Sequence, residues 1–254
     1  MKIVTVIPAR YNSTRFHGKV LYPINKKPML QWVWKRAISI KGMDRVIIAT
    51  EDRRVVNFAK SIGADALLTS PNCQSGSDRV WEVVKNIKCD IVVNLQSDEP
   101  FIEADVIKDA IELLIKRRDF DISTAVSKID NNSDVMNSNC VKVVIGDDMN
   151  ALYFSRLPVP YHHKLSEISK TYPYYKHCGF YVYRKEALGK YVSFKPSNIE
   201  LLERLEQLRA LENGLKIGVV MAERLGPAID VLSDIKKAEK YIKTLSRIER
   251  SKIK

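Results

Sequence analysis

Cysteine is scarce in this 254-residue chain: Cys73, Cys89, Cys140 and Cys178 are scattered, and no two form a C-x-x-C pair. That spacing excludes a disulfide framework and a cysteine zinc site, and it predicts reduced, structural thiols. Glycine and proline number 10 each and gather in no tract, so neither a linker nor a disordered arm is expected. No stretch approaches the roughly 18 apolar residues of a membrane span. The apolar run after Met1-Lys2 is too short for a signal peptide, which makes a cytoplasmic protein without stable membrane association the expectation. Internal repeats are absent.

What the chain does have is the balance of a globular protein, 45% hydrophobic and 28% charged. Its length suits one large α/β domain or two small ones, and the reading taken is one domain, 1–254. The net charge of +12 invites a polyanion partner, since clustered Lys and Arg attract phosphate-rich polymers. The excess is spread, however, and is densest from Lys236 to Lys254, where Ile235, Ala238, Ile242 and Leu245 recur at helical spacing. Such a pattern is a solvated helix face, so no nucleic-acid partner is expected.

Strand-like runs alternate with amphipathic helices through the first half, the pattern of βαβ units in a parallel sheet. Strands are predicted at Lys2–Pro8, Arg45–Thr50, Ala66–Thr69 and Asp90–Gln96, the last nearly without polar relief and therefore central and buried. Helices are predicted after Pro28, with a stripe of Leu30, Val33, Trp34, Ala37 and Ile38, and at Asp52–Ser61, Ser77–Asn86 and Glu103–Arg118. Beyond residue 120 the pattern turns to strands at hairpin-like spacing, Ile122–Ser127, Val141–Ile145 and Cys178–Arg184, around a loop rich in Tyr, His and Pro (157–175). Ser197-x-x-Glu200 predicts a capping box opening one helix with Leu201, Leu202, Leu205 and Leu208, ended by Gly214. A strand at Leu215–Ala222 and the basic helix follow.

Chemistry is concentrated in three places. Pro8 to Lys19, between the first strand and first helix, emerges at the carboxyl edge of the sheet, where α/β ligands bind. It offers Arg10, Arg15 and Lys19 with Ser13 and Gly18, a set suited to a triphosphate and to charge growing on a leaving pyrophosphate. It is neither G-x-x-x-x-G-K-[ST] nor G-x-G-x-x-G, and an ordinary solvated basic loop has the same composition. Gln96-Ser97-Asp98-Glu99-Pro100 follows the buried strand. Asp98 there is placed to hold Mg²⁺ against phosphates, or else begins a turn before Pro100. Asp230 either caps the last helix or completes the metal site.

These residues carry a resemblance. IPARYNSTRFHGK (7–19), IATED (48–52), TSPNCQSGSDR (69–79), VVNLQSDEP (92–100), VKVV (141–144), ALYFSRLPVP (151–160), YKHCGFYVYR (175–184) and LERLEQLRALENGLKI (202–217) closely resemble the 3-deoxy-manno-octulosonate cytidylyltransferases over almost the whole chain. The resemblance implies an α/β, Rossmann-like nucleotide-diphospho-sugar transferase fold. It has a mixed, mainly parallel central sheet flanked by helices, with an inserted smaller sheet. Residues 1–120 would mainly bind nucleotide, and 121–254 would mainly bind sugar and form a homodimer.

The implied reaction joins CMP from CTP to a Kdo-type sugar acid, for lipopolysaccharide synthesis. Arg10, Lys19 and Asp98 would be catalytic. Ala9, Ser13, Arg15, Ser75, Arg79 and Gln96 would complete the nucleotide site, and Asp98 and Asp230 would hold Mg²⁺. Arg156, His177, Tyr181, Glu206 and Gln207 would grip the sugar, although a buried histidine is commonly structural and a tyrosine commonly core. The chain departs from the family pattern at Phe16-His17, Ser97, Val231-Leu232-Ser233 and His162-His163-Lys164. Those departures keep open a modified acid such as 8-amino-Kdo. From another class, a catalytically weak nucleotide- or polyanion-binding homologue is the alternative.

Overall fold

The computed structural model describes residues 1–13, 16–162, 173–223 and 225–245. The chain forms two compact units, Met1–Lys108 with Leu225–Lys254, and Asp109–Arg224.

The first unit is a βα alternation. Strand β1 (Ile3–Pro8) is buried at all six positions, because its Ile and Val side chains have helices to pack against on both faces. After a 3₁₀ turn (Lys19–Leu21) come the short antiparallel pair β2 (Pro23–Ile24) and β3 (Lys27–Pro28), then helix α1 (Met29–Ile38). Strand β4 (Arg45–Thr50) leads to helix α2 (Arg53–Ser61), whose first turn is capped by the Asp52 carboxylate accepting from Arg54 N at 2.8 Å. Gly63, at φ +78°, supplies the left-handed residue that turns the chain toward β5 (Asp65–Leu68). Helix α3 (Gly76–Val84) and strand β6 (Ile91–Leu95) follow, and then helix α4 (Ala104–Lys116), within which the first unit ends. Strands β6, β1, β4 and β5 pair in that order and all in parallel, with Val4 opposite Val92, Val6 opposite Ile47 and Ile48 opposite Ala66. The fully buried β6 matches its sequence reading, whereas β5 is a largely exposed edge strand.

In the second unit, β7 (Ile122–Lys128) precedes the short helix α5 (Asn132–Met136), and β8 (Lys142–Ile145) pairs antiparallel with β9 (Ala151–Ser155). Strand β10 (Tyr175–Arg184) pairs antiparallel with β7 and β8. Helices α6 (Lys185–Ser193), α7 (Asn198–Glu203) and α8 (Gln207–Glu212) lead to β11 (Ile217–Met221), which lies parallel to β7. Helix α9 (Asp234–Thr244) belongs to the first unit. The fold is thus α/β, with mixed, mainly parallel strands flanked by helices.

Three expectations need correction. The buried face of α1 is Met29, Leu30, Trp32, Val33 and Ala37, whereas Ile38 is 51% exposed. Trp32 is drawn inward because its indole N–H donates to the Ile24 carbonyl at 3.1 Å. The capping box at Ser197 and Glu200 forms, but the helix breaks at Arg204, whose φ is +53°, and α7 and α8 are separate. That break changes the phase, so Leu205 and Leu208 are buried while Leu201 and Leu202 are 62% and 84% exposed. Strand β9 escaped prediction because Leu152 faces out and Ser155 faces in, the reverse of the usual polarity. Most of the Tyr- and His-rich loop, including His163 and Lys164, lies outside the described residues.

Candidate active site

The loop after β1 begins as an extension of the sheet: Ala9 is buried and its N–H donates to the Ala49 carbonyl at 2.8 Å. Arg10 next to it is exposed. The chain then folds back on Tyr11, whose carbonyl accepts from Ser13 N and Gly18 N, each at 3.0 Å. Gly18 adopts φ +67°, and a Cβ there would stand 3.2 Å from the Tyr11 hydroxyl, so a glycine is required on both counts. The Tyr11 ring is held between the Arg54 guanidinium, 3.6 Å from its centroid, and the edge of His17 at 5.0 Å. Phe16 stands edge-on to Tyr22. Phe16 and His17 therefore each have an aromatic partner. Arg15 lies outside the described residues.

This folding delivers Lys19 to a carboxylate pair. Its ammonium donates to Asp98 Oδ2 at 3.0 Å and to the Ile229 carbonyl at 2.9 Å, and it lies 3.8 Å from Asp230 Oδ1. The lysine side chain is 9% exposed, against 33% and 43% for the two aspartates. The cation is thus sunk below carboxylates that face outward. Ile229 also donates its N–H to the Asp98 carbonyl at 2.9 Å, which ties the two acidic segments to each other through backbone. Asp234 accepts from the N–H groups of Asp230 and Val231, both at 3.1 Å, fixing the turn that presents Asp230. Beyond it, α9 packs through Tyr241 on Phe101, and Gly226 passes so close to Phe101 that a Cβ would collide with it.

A second group of predicted residues surrounds the start of α3. Ser75 caps this helix, its hydroxyl accepting from Asp78 N at 3.1 Å while Asp78 accepts from Ser75 N at 2.9 Å. The Gln96 amide donates to Asn94 Oδ1 at 2.8 Å and lies against Gly76, where a Cβ would be 3.1 Å from its nitrogen. Arg79 is fully buried; Nη1 donates to Thr69 Oγ1 at 2.5 Å, and Nη2 is 3.1 Å from Glu51 Oε2. Among the described residues its Nε has no hydrogen-bond partner, and Nη2 and Glu51 Oε2 meet as an ion pair whose geometry is not that of a hydrogen bond. A buried guanidinium with donors to spare is suited to a polar ligand edge.

The residues predicted for the sugar lie in the second unit. His177 Nε2 is 3.1 Å from Thr124 Oγ1, whose own proton goes to the Phe180 carbonyl at 2.7 Å. The threonine oxygen is then the acceptor, which assigns the Nε2–H tautomer. Phe154 and Tyr181 flank the ring at 5.2 and 5.3 Å. Burial lowers the imidazole to about 3 and pushes the Tyr181 phenol well up. Gln207 is buried at the start of α8, and Glu206 before it is exposed. Arg156 is engaged otherwise: its guanidinium donates to the Glu203, Ser138 and Arg204 carbonyls at 2.7, 3.0 and 3.3 Å.

A pH effect follows from His177. The unfolded imidazole binds a proton at about pH 6.5, and the folded one only near 3, so between these values the unfolded state holds more protons and stability rises with pH. Stability should therefore fall as pH drops from 6.5 to 4, and His177→Gln should flatten that fall. Melting temperatures across the range provide the check; identical slopes would remove His177 as the cause.

Several residues were missed: Tyr11 as the hub of the loop, Glu51 beneath it, Ile229 as a backbone ligand of Lys19, and Asp234 behind Asp230. The adjacent acids Glu51 and Asp52 at the end of β4 were the available signal. Among the described residues no cluster of three or more His, Cys, Asp or Glu is placed to hold a metal. The four cysteines form no disulfide, and burial with a bond to Glu82 pushes the Cys73 thiol up to about 11.

Comparison with known proteins places this architecture. The cytidylyltransferase family profile matches residues 4–217, so the chain is an enzyme of the nucleotidyltransferase class. It is 49% identical to the 3-deoxy-manno-octulosonate cytidylyltransferase of Elusimicrobium minutum (strain Pei191), over 94% of this chain and 98% of that one. It is 39% identical to the 8-amino-3,8-dideoxy-manno-octulosonate cytidylyltransferase of Shewanella frigidimarina (strain NCIMB 400), covering 94% and 98%. A solved CMP:2-keto-3-deoxy-manno-octonic acid synthetase complexed with CTP superposes with a TM-score of 0.90 at 34% identity, covering 96% of this chain and 99% of that one. The chain belongs to the 3-deoxy-manno-octulosonate cytidylyltransferase family. Among the described residues no helix is long and apolar enough to cross a membrane.

Proposed function

We propose that this enzyme transfers CMP from CTP to the anomeric hydroxyl of 3-deoxy-manno-octulosonate, releasing pyrophosphate, on the way to lipopolysaccharide. The observation that carries the reading is the convergence of Lys19, Asp98 and Asp230, in a chain so similar to enzymes of that name. The sugar hydroxyl attacks the α-phosphorus in line. The new O–P bond forms as the bond from the α-phosphorus to the bridging β-phosphate oxygen breaks, pyrophosphate leaves with that electron pair, and the hydroxyl proton passes to water.

Arg10, Ser13, Arg15 and Lys19 balance the charge that moves onto pyrophosphate, where fixed donors in a desolvated site act strongly. Ala9, Ser75, Arg79 and Gln96 shape the nucleoside end. His177, Tyr181, Glu206 and Gln207 serve the sugar acid, while Arg156, its guanidinium committed to carbonyls, braces the end of α7.

Asp98 and Asp230 fit a magnesium ion: two outward-facing carboxylates converge around one positive charge, the Lys19 ammonium, and magnesium commonly takes one or two carboxylates beside substrate phosphates. Mg²⁺ there would supply charge that draws electron density from the triphosphate oxygens. The enzyme works in the cytoplasm as a homodimer, and the exposed Leu201 and Leu202 offer apolar surface for that contact.

The Shewanella relative supports a second reading, the same transfer to the 8-amino acid. Pyrophosphate release from CTP, measured with 3-deoxy-manno-octulosonate, its 8-amino analogue and sialic acid, separates the two by kcat/KM. Chelation by EDTA should abolish release and Mg²⁺ should restore it. Silence with all three acids would overturn the reading.

A further inference from the structure

Glu51 has no part in the roles given so far, yet its carboxylate reaches both ends of the nucleotide site. It follows β4 directly, and its side chain is 11% exposed. Oε1 accepts from the Tyr11 N–H at 3.0 Å, and Oε2 lies 3.1 Å from Arg79 Nη2. Tyr11 is the residue around which the triphosphate loop closes, through its carbonyl bonds to Ser13 N and Gly18 N. Asp52 grips the same tyrosine from the ring side, holding Arg54 by hydrogen bonds of 2.9 and 2.6 Å while the guanidinium stacks on the ring. Among the described residues Arg79 is otherwise anchored by Nη1, on Thr69 Oγ1 and more weakly on the Ser70 carbonyl.

We infer that Glu51 is a positioning residue that sets the triphosphate loop with one carboxylate oxygen and the Arg79 guanidinium with the other, coupling the two ends of the nucleotide site. This inference rests on the nucleotide-binding reading above. Its chemistry is asymmetric. An amide in place of the carboxylate keeps an oxygen for the Tyr11 N–H but removes the charge facing Arg79. An alanine removes both.

The test is calorimetric titration of the full chain with CTP and with inorganic tripolyphosphate, without sugar acid. Glu51→Gln should bind tripolyphosphate within about twofold of wild type and CTP about tenfold more weakly, the loss of one charge-assisted contact. Glu51→Ala should weaken tripolyphosphate as well, by about tenfold. Because both substitutions strand a buried cation and Glu51→Ala can fail to fold, Gln and Ala are also compared in the Arg79→Met background, where no charge is stranded. Equal tripolyphosphate affinity for Gln and Ala in both backgrounds would overturn the loop half of the inference. Unchanged CTP affinity in Glu51→Gln would overturn the Arg79 half. A wild-type chain binding neither probe would overturn the function reading and this inference with it, whereas a binding wild type with indifferent variants overturns the inference alone.

Discussion

Asp98→Asn is expected to lower kcat for pyrophosphate release about 10²–10³-fold, the usual effect of removing one preorganised charge from a transition-state site. The substitution keeps the side-chain shape and the backbone carbonyl that accepts from Ile229 N. Folding should therefore be little changed, and the melting temperature should stay near that of wild type. What is lost is one of two carboxylates, and with it the ionic part of the 3.0 Å contact to Lys19. Lys19 retains the Ile229 carbonyl at 2.9 Å and Asp230 at 3.8 Å, so its ammonium stays in place. The deficit should then fall on the divalent ion, and the half-saturating Mg²⁺ concentration should rise along with the fall in kcat. Initial rates over a magnesium series measure both. An unchanged magnesium dependence with a rate within a few-fold of wild type would remove Asp98 from the metal site.

The layers of this fold were legible because their signal is local. Ile91 to Leu95 can only be a strand covered on both faces, and they are buried throughout. Ser197 announces helix α7 by side-chain chemistry that acts within three residues, as Asp52 and Ser75 do for α2 and α3 in the structure. The 3₁₀ turn that delivers Lys19 was not announced. It depends on Gly18 closing onto the Tyr11 ring, a contact between residues seven apart with no periodic pattern.

Residue type and motif position single out candidates for the site, and they say nothing of its geometry. Lys19, Asp98 and Asp230 were each picked out by residue type and by position in a motif. Their convergence spans more than two hundred residues and is fixed by backbone, through Ile229, which no side-chain pattern reports. Arg156 shows the same limit: the arginine of a matching motif donates to three carbonyls, and sequence alone does not report those bonds. The break at Arg204 was hidden because a left-handed residue is expected to be glycine or asparagine.

Arg209→Met is expected to cost about 3–5 kcal/mol of stability, since deleting one partner leaves a buried charge uncompensated. Arg209 and Glu200 have side chains only 8% and 9% exposed and meet bidentately, Nε to Oε2 at 2.8 Å and Nη2 to Oε1 at 2.6 Å. The pair does more than neutralise itself. Glu200 Oε2 also accepts from Ser197 N at 3.1 Å, closing the capping box, and Arg209 Nη1 donates to the Phe194 carbonyl at 3.2 Å. The guanidinium further stands 5.0 Å from the Tyr191 ring, whose hydroxyl donates to the Glu206 carbonyl at 3.0 Å. One ion pair thus fixes the end of α6, the start of α7 and the body of α8, the stretch that carries Glu206 and Gln207. The double variant Glu200→Gln/Arg209→Met should recover much of the loss, because an amide leaves no stranded charge and can still receive the Ser197 N–H. Urea unfolding of both variants gives the two differences. A single variant within about 1 kcal/mol of wild type, the range of exposed pairs, would mean that water reaches Glu200 and that the three helices are held by apolar packing instead.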